Sequence, residues 1–468
     1  MSKMKRQHPI VIITGFLDEL KSLLVPIALS FIVQLSTREA FGLSRGYIIF
    51  MSILLLFMIV YGLFRWIFFK YMYSDQALII KQGIFIKKNR TIKKERIQSI
   101  NTEAGILLRL FNLVTLNIET AASAQEPEFN IRALSKAQAI DITNTLKGDA
   151  LPNDEPLKEK DETVTLNVKQ LLLAGVTSGS VGIIFGFLGV IVSQGFVFLP
   201  EQAIDWIIDS LIASSFVVIL TVGSIVFIVA WVISIVRFII RFAFFTLHKD
   251  DERLYISRGL IVQKTFSIKL ERIQALIIQE GILRQPFNLA TIEAEIAGGS
   301  KYEDSFRISL MPVIHKTWIQ SFIQTYTPDY AIDKTFNKLP KRALRRYLIR
   351  SNAVLLFVIP LLSISLYFLW ALMFVFPLSV IGYFRFKDGG YYVHHNMMIL
   401  RTRLLNRKTF YALKPHVQSM GLNRTIFQKF RKLFTVELNV LSAAGKSTFN
   451  LKDLDTNDFS LFYTWFKR

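Results

Sequence analysis

The tetrapeptide Glu271-Arg272-Ile273-Gln274 occurs twice, because Glu95-Arg96-Ile97-Gln98 lies 176 positions earlier. In that register the chain aligns with itself without a gap from Tyr73 to Ala121. Gly83 falls on Gly259, Gly105-Ile106-Leu107 on Gly281-Ile282-Leu283, and Phe111-Asn112-Leu113 with Thr115 on Phe287-Asn288-Leu289 with Thr291. A looser third copy has Gln418 at the Gln position. After a two-residue insertion, its Leu438-Asn439 and Ala443 echo Leu116-Asn117 and Ala121. Self-similarity of this kind outranks local propensity, since each copy must be one structural unit. The chain is three copies of a module, and the spacing asks what lies between them.

Apolar blocks fill the gaps. The 468 residues are 52% hydrophobic, with 40 Phe, yet carry 56 Lys+Arg against 35 Asp+Glu, a formal +21. Hydrophobic blocks flanked by basic ones place a chain at a membrane, its soluble parts facing anionic lipid. Nucleic-acid binding fits less well, because the basic residues hug the apolar segments instead of forming a basic domain. The lack of any Cys excludes disulfide scaffolds, thiolate metal sites and Cys nucleophiles.

Taken in order, residues 1–19 read as a basic interfacial segment and 20–66 as a transmembrane hairpin with arms near the ~20 residues that span a bilayer. Module one follows at 67–147, then an acidic linker at 148–165 whose composition buries little and favours mobility. A second hairpin occupies 166–240, with arms at 171–196 and 211–236, and module two 241–327. Residues 328–350 form a basic connector, of which 338–350 suits an amphipathic helix on the inner leaflet. The apolar block 351–384 is too long for one span, so it reads as a short hairpin bent at Pro360 and Pro377. Module three closes the chain at 385–468. Within a module the pattern is strands first and one helix last. The loop 197–210 carries Glu201, Asp205 and Asp209 without Lys or Arg, whereas Arg65, Arg237, Arg350 and Arg385 flank the spans. By the positive-inside rule the modules are cytoplasmic.

No paired carboxylates, metal-spaced His or Gly-rich phosphate loop stands out, so no enzymatic activity and no cofactor are expected. The repeated Glu95, Arg96 and Gln98, with Glu271, Arg272 and Gln274, read mainly as structural: Arg and Gln hydrogen-bond within the module and hold its strands in register. The sharper reading is an anion contact by the guanidinium. Basic residues concentrate at Lys87, Lys88, Arg90, Lys93 and Lys94 in module one and at Arg401, Arg403, Arg407 and Lys408 in module three. They suit a lipid or partner contact as well as a lysine-protected strand edge. Gly175, Gly179, Gly182, Gly186 and Gly189 make one stripe on a single helix face, where a neighbouring helix can approach closely.

A strand pair around Gly, then Glu-Arg-Ile-Gln, then Gly-Ile-Leu and Phe-Asn-Leu-x-Thr, each copy behind an apolar hairpin, resembles the bacterial pleckstrin-homology domain of the second type, in its three-module branch. The resemblance implies a membrane protein of mixed α and β structure. Three transmembrane helical hairpins would each precede a seven-stranded, partly open β-barrel or sandwich capped by a C-terminal helix. Trp318 and Trp465 match the tryptophan usual in that helix. It also implies a multi-pass protein of a bacterial cytoplasmic membrane, paired with a smaller one-module membrane protein of the same family. The expected function is a non-enzymatic scaffold serving envelope integrity under stress or antimicrobial challenge. Its modules would bind protein partners or the anionic headgroups of the lipid bilayer, with no nucleic acid. The alternative is a membrane conduit or lipid-handling subunit, with the glycine-striped helix lining a path.

Overall fold

In each copy the repeated tetrapeptide straddles a break in the sheet. A single turn of 3-10 helix (Lys94–Arg96, Leu270–Arg272, Lys414–His416) separates a leading set of strands from a trailing set. The computed structural model describes residues 4–36, 45–120, 129–147, 163–179, 216–250, 252–297, 307–332, 335–355, 373–442 and 445–467, with the single positions 182, 186 and 209. Module one leads with β1 (Lys70–Tyr73), β2 (Ala77–Gln82) and β3 (Lys88–Lys93). It trails with β4 (Ile97–Gly105), β5 (Leu113–Thr120) and β6 (Phe129–Ser135), then the helix Lys136–Lys147. Module two has β7 (Thr163–Thr165), β8 (Thr246–Asp250), β9 (Arg253–Arg258) and β10 (Val262–Lys269), then β11 (Ile273–Glu280), β12 (Leu289–Ile296) and β13 (Arg307–His315), then the helix Ile319–Tyr326. Module three repeats this with β14 (Asn337–Lys338), β15 (Gly390–Val393), β16 (Met397–Arg403) and β17 (Arg407–Leu413), then β18 (Val417–Asn423), β19 (Leu433–Ser442) and β20 (Gly445–Asp455), then the helix Phe459–Lys467.

The modules are not separate beads. The trailing strands of one module continue the leading sheet of the next, giving two seven-stranded antiparallel sheets in the orders β6-β5-β4-β10-β9-β8-β7 and β13-β12-β11-β17-β16-β15-β14. Three-stranded sheets, β1-β2-β3 and β18-β19-β20, remain at the two ends. The joins are β4 on β10, with Lys264 opposite Glu103 and Thr265 opposite Thr102, and β11 on β17, with Gln279 opposite Lys408 and Glu280 opposite Arg407. The two registers coincide when the repeats are superposed. Burial explains the second join. Along β11, Ile273, Leu276 and Ile278 enter the core of module two while Ala275 and Ile277 enter that of module three. Met397 and Ile399 of β16 likewise face one core, Met398 and Leu400 the other. A near-continuous apolar run is what a strand buried on both faces requires.

The apolar helices interrupt each module after its first extended segment. Lys5 pairs with Tyr71 of β1 in an isolated bridge ahead of the helices Val11–Ser36 and Arg45–Phe68. β7 pairs with β8 across the helices Val168–Val176 and Phe216–Phe242, and β14 with β15 across Leu344–Asn352 and Val375–Asp388. This corrects three boundaries. Residues 1–19 are not a segment apart from the module, because Lys5 bridges to Tyr71 of β1 and a helix begins at Val11. Of the supposed mobile linker 148–165, Thr163–Thr165 is strand, and 148–162 lie outside the described residues. The basic connector does not lie free on a leaflet. Asn337–Lys338 pairs in the sheet, and Arg346 and Arg350 turn inward to Asp453.

Turn chemistry accounts for two repeated residues. Gly83 and Gly259 have φ of 114° and 113°, and a Cβ there would overlap the carbonyl oxygens of Ile86 and Val262. Asn112 and Asn288 sit at φ 54° and 52°, the left-handed region that Asn tolerates better than most residues. In the third copy, Gly421 opposes Glu437 as Asn101 opposes Asn117. That register aligns Leu438 with Ile118 and Asn439 with Glu119, so the two-residue insertion expected before Leu438 is absent.

The glycine stripe is also corrected. The helix Val168–Val176 ends in a turn, so Gly179 is not helical, and Gly189 lies outside the described residues. A Cβ on Gly175 would meet Ile235 at 3.3 Å, whereas on Gly179, Gly182 or Gly186 it would meet nothing described within 4 Å. Among the described helical glycines the closest approach is elsewhere. A Cβ on Gly382 would lie 3.0 Å from Ser351 Oγ and 3.1 Å from the Tyr347 carbonyl oxygen. Gly382→Leu is therefore expected to cost ~1–3 kcal/mol by overpacking. Thermal unfolding in detergent checks this, and a melting temperature equal to wild type would contradict the contact.

Candidate functional site

The chemistry-bearing side chains gather at the joins between modules. At the first join Arg272 donates to Gln98 Oε1 at 2.9 Å and to the Ala297 carbonyl at 2.7 Å. The repeated motif thus bonds one copy to the next through Gln98 as well as bracing its own module through Ala297. Burial lowers the Arg272 pKa, partly offset by the charge of Glu119. Glu119 is buried and accepts from Ser99 and from Asn101 Nδ2 at 3.1 Å, and Lys264 pairs with Glu103 at 2.9 Å.

The second join has the same plan in different residues. His416 stands where Arg272 stands, within reach of the Tyr330 hydroxyl and a Gln274 backbone group. Burial pushes its imidazole pKa below the ordinary value, against the opposing charge of Asp329. Glu280 is held by Arg407, with Nε at 2.7 Å and a second Arg407 contact, and by Lys316 at 2.5 Å. Burial opposes its charge, but the hydrogen bonds from Arg407 and Lys316 prevail and keep its pKa below the usual carboxylate value. Glu295, matching Glu119 in the repeat, accepts from Arg307 at 2.6 Å and from Ser442 and Ser447 of module three, each at 2.8 Å.

A third set ties modules to helices, at one repeat position with three chemistries. Leu108 packs beside Ile10, Leu113 and Ala133. Arg284, its pKa lowered to about 10 by burial, donates to the carbonyls of Pro312 at 2.8 Å and of Ala174, at the end of the helix Val168–Val176, at 3.3 Å. Gln428 donates to Asp453 Oδ1 at 2.8 Å, and Arg346 and Arg350 reach the same carboxylate at 2.8 and 2.7 Å.

The basic residues singled out in the sequence divide. Arg401 donates to the Asp388 carbonyl at 2.8 Å and covers the Phe336 ring, Arg403 pairs with Asp388 at 2.5 Å, and Arg407 bridges Glu280 and Asp388. Those three are committed to protein partners, so module three has no lipid-facing arginine strand. In module one Lys94 donates to the Thr145 carbonyl at 3.3 Å, and Arg90 sits over the Phe129 ring. Lys87, Lys88 and Lys93 are exposed along β3 and its turn, as are Glu95, Glu271 and Arg96. Trp465 is buried and donates to the His394 carbonyl at 2.6 Å. Trp318 is exposed in a 3-10 turn, and Phe322 and Tyr326 fill the core in its place. A cavity of about 650 Å³ opens between module one and its helix pair, lined by Glu19, Tyr61, Arg65, Trp66, Lys88 and Arg132 among others. No cluster of His, Asp or Glu suited to a metal occurs among the described residues.

Sequence reasoning missed Glu119 and Glu295, although the gapless repeat alignment places them together. It missed Glu280, Arg284 and Asp453 because their partners come from other modules or from helices.

The expected contrast is direct. Arg272→Ala should cost ~2 kcal/mol, the loss of charged hydrogen bonds at a partly buried site. Arg96→Ala, exposed at its module's free end, should leave the melting temperature unchanged. Equal losses in differential scanning fluorimetry would confine the motif to a role inside its own module.

Sheets interlocked through a repeated 3-10 break, with apolar helices inserted after the first segment, define a membrane protein built of PH-like modules. The family model for the bacterial PH domain matches residues 22–150, 194–325 and 353–468, and the chain belongs to that family. It is similar to the UPF0699 transmembrane protein YdbT of Bacillus subtilis (strain 168), at 30% identity over 494 aligned positions covering 100% of this chain and 98% of that one. No solved structure matches. The helices Arg45–Phe68 and Leu220–Phe242 are long and apolar enough to cross a bilayer.

Proposed function

We propose that the protein is a multi-pass scaffold of the bacterial cytoplasmic membrane. Its three cytoplasmic modules act as one array for a protein partner, a smaller one-module membrane protein of the same family, in the service of envelope integrity. The observation that carries this reading is the pair of sheets crossing the module boundaries. Each boundary is closed by a strand ladder and ion pairs, so the modules are held in fixed relation, as a platform requires. The acid-only loop 197–210 and the basic flanks support the orientation. Anionic headgroups at the exposed Lys87, Lys88 and Lys93, at ~1 kcal/mol each, are the competing use of this strand.

The cavity beside Arg65, Trp66 and Arg132 favours a second reading, a lipid-handling subunit that holds a headgroup there. Purification from native membrane and reconstitution separate the two. A co-purifying membrane protein, no lipid or solute flux in proteoliposomes, and sensitivity of the deletion strain to envelope-active antimicrobials are expected for the scaffold. Substrate-dependent flux without a protein partner contradicts it. Single cysteines in this Cys-free chain test orientation: an impermeant reagent on intact cells should label position 205 but neither 301 nor 446.

A further inference from the structure

Each internal join uses the last leading strand of one module and the first trailing strand of the module before it. Among the described residues β3 pairs only with β2 and has no trailing strand of another module beside it, so it presents an open edge, and its first four residues, Lys88 to Thr91, are exposed. The turn beside it is also bare. Phe85 and Ile86 are 95% and 75% exposed, whereas their counterparts Ile261 and Val262, at the first join, are 42% and 39% exposed. Arg96 ends the same edge. Its counterpart Arg272 is clasped by Gln98, yet among the described residues Arg96 makes no hydrogen bond or ion pair.

Lysines on an edge strand ordinarily discourage pairing. In this fold they do not: Lys264 and Lys408 occupy the position of Lys88, and both lie within paired ladders, Lys264 against Glu103. We propose that β3 docks the trailing half-sheet of a PH-like module carried by a different chain, whose first trailing strand has a carboxylate opposite Lys88 or Lys87 and a Gln for Arg96. The inference rests on the scaffold reading and names the surface and chemistry of its partner.

The chain's own trailing edge β18, which pairs only with β19 among the described residues, is the obvious alternative, since Gln418 is exposed there. Its charges do not fit. The shared register would set Asn423 opposite Lys88, where the first join has Glu103, and Arg424 opposite Lys87, where the second has Glu280. Asn439 takes the place of Glu119, the carboxylate that acts on Arg272. A second copy therefore offers no acid where the joins place one and adds a like-charge contact, which specific interfaces avoid.

A photo-cross-linking amino acid at Asn89 in the full chain, expressed in its native membrane, tests this. The expected adduct is a peptide from the first trailing strand of a PH-like module on another chain, with Asp or Glu opposite Lys88 or Lys87. Lys88→Glu should cut its yield about tenfold or more, since a close ion pair becomes a like-charge contact. Lys88→Arg should preserve it. Unchanged protein level and melting temperature in both variants show that folding is not the cause. An adduct to lipid, to any other peptide, to residues 417–423 of a second copy, or no adduct, overturns the proposal. So does a dimeric disulfide in the Asn89→Cys, Leu422→Cys variant. Co-purification of a partner that cross-links elsewhere leaves the scaffold reading intact while this docking fails. Flux in proteoliposomes counts against the scaffold alone.

Discussion

Asp453→Ala is expected to unfold module three ahead of the rest of the chain. The Asp453 side chain is fully buried and takes Arg346 Nε at 2.8 Å, Arg350 Nη2 at 2.7 Å and Gln428 Nε2 at 2.8 Å. Removing one partner of a buried ion pair typically costs 3–5 kcal/mol, because the remaining charge has lost its counterion. Both arginines keep some solvent contact, with side-chain exposures of 21% and 27%, which sets the expected loss near the lower end, ~3 kcal/mol. A second effect adds to it. Asp453 lies at φ 64°, where Ala is disfavoured by ~1–2 kcal/mol. Asp453→Asn keeps a side chain suited to that backbone and should lose less. Hydrogen exchange gives the readout: β20 and the helix Leu344–Asn352 should lose protection together, while β8 to β10 keep theirs. Protection of β20 equal to wild type would mean that module three does not depend on its helix pair.

Glu280→Ala is expected to open the join between modules two and three, at ~3 kcal/mol, since Arg407 and Lys316 lose their shared carboxylate. The same join should weaken in acid. Glu280 has a folded-state pKa below its ordinary value of 4.5, and His416 one below 6.5. For both, the stabilisation is fully present above the ordinary pKa and fades as pH falls through the lowered one. His416 should act first, below about pH 6.5, and Glu280 only at lower pH. At the other join Arg272 stands in place of His416 and stays protonated throughout. Hydrogen exchange at pH 5 against pH 7.5 should therefore expose β11 and β17 before β4 and β10. The reverse order would contradict the assignment.

How much of this was legible in the sequence depends on whether the cause was local. The repeat, the strands-then-helix order, Gly83 and Gly259, and Phe-Asn-Leu are local: each fixes a turn or a pleat within one copy. The apolar helix Arg45–Phe68 announces itself by length and composition. The interlocking does not. A strand's burial on two faces shows in the run Met397-Met398-Ile399-Leu400, but nothing in that run says which two cores it separates. For the same reason Arg401, Arg403 and Arg407 read as a basic surface, although Asp388 and Glu280, distant in sequence, neutralise them in the fold. The glycine stripe assumed one continuous helix, which the turn after Val176 breaks, and most of its further course lies outside the described residues.

The interlocked sheets are tested most directly by disulfides across the two joins, in a chain with no Cys of its own. Thr102 opposes Thr265, and Gln279 opposes Lys408. Directly paired antiparallel residues stand ~4.5–5.5 Å apart between Cα atoms, within the range a disulfide spans. Mild oxidation of the full-length Thr102→Cys, Thr265→Cys protein, and of the Gln279→Cys, Lys408→Cys protein, is predicted to form the bond within single chains in high yield. The mismatched pair Thr102→Cys, Lys408→Cys should form none. Free thiols in both matched variants, or disulfides only between chains, would show that the modules are separate domains and contradict the account.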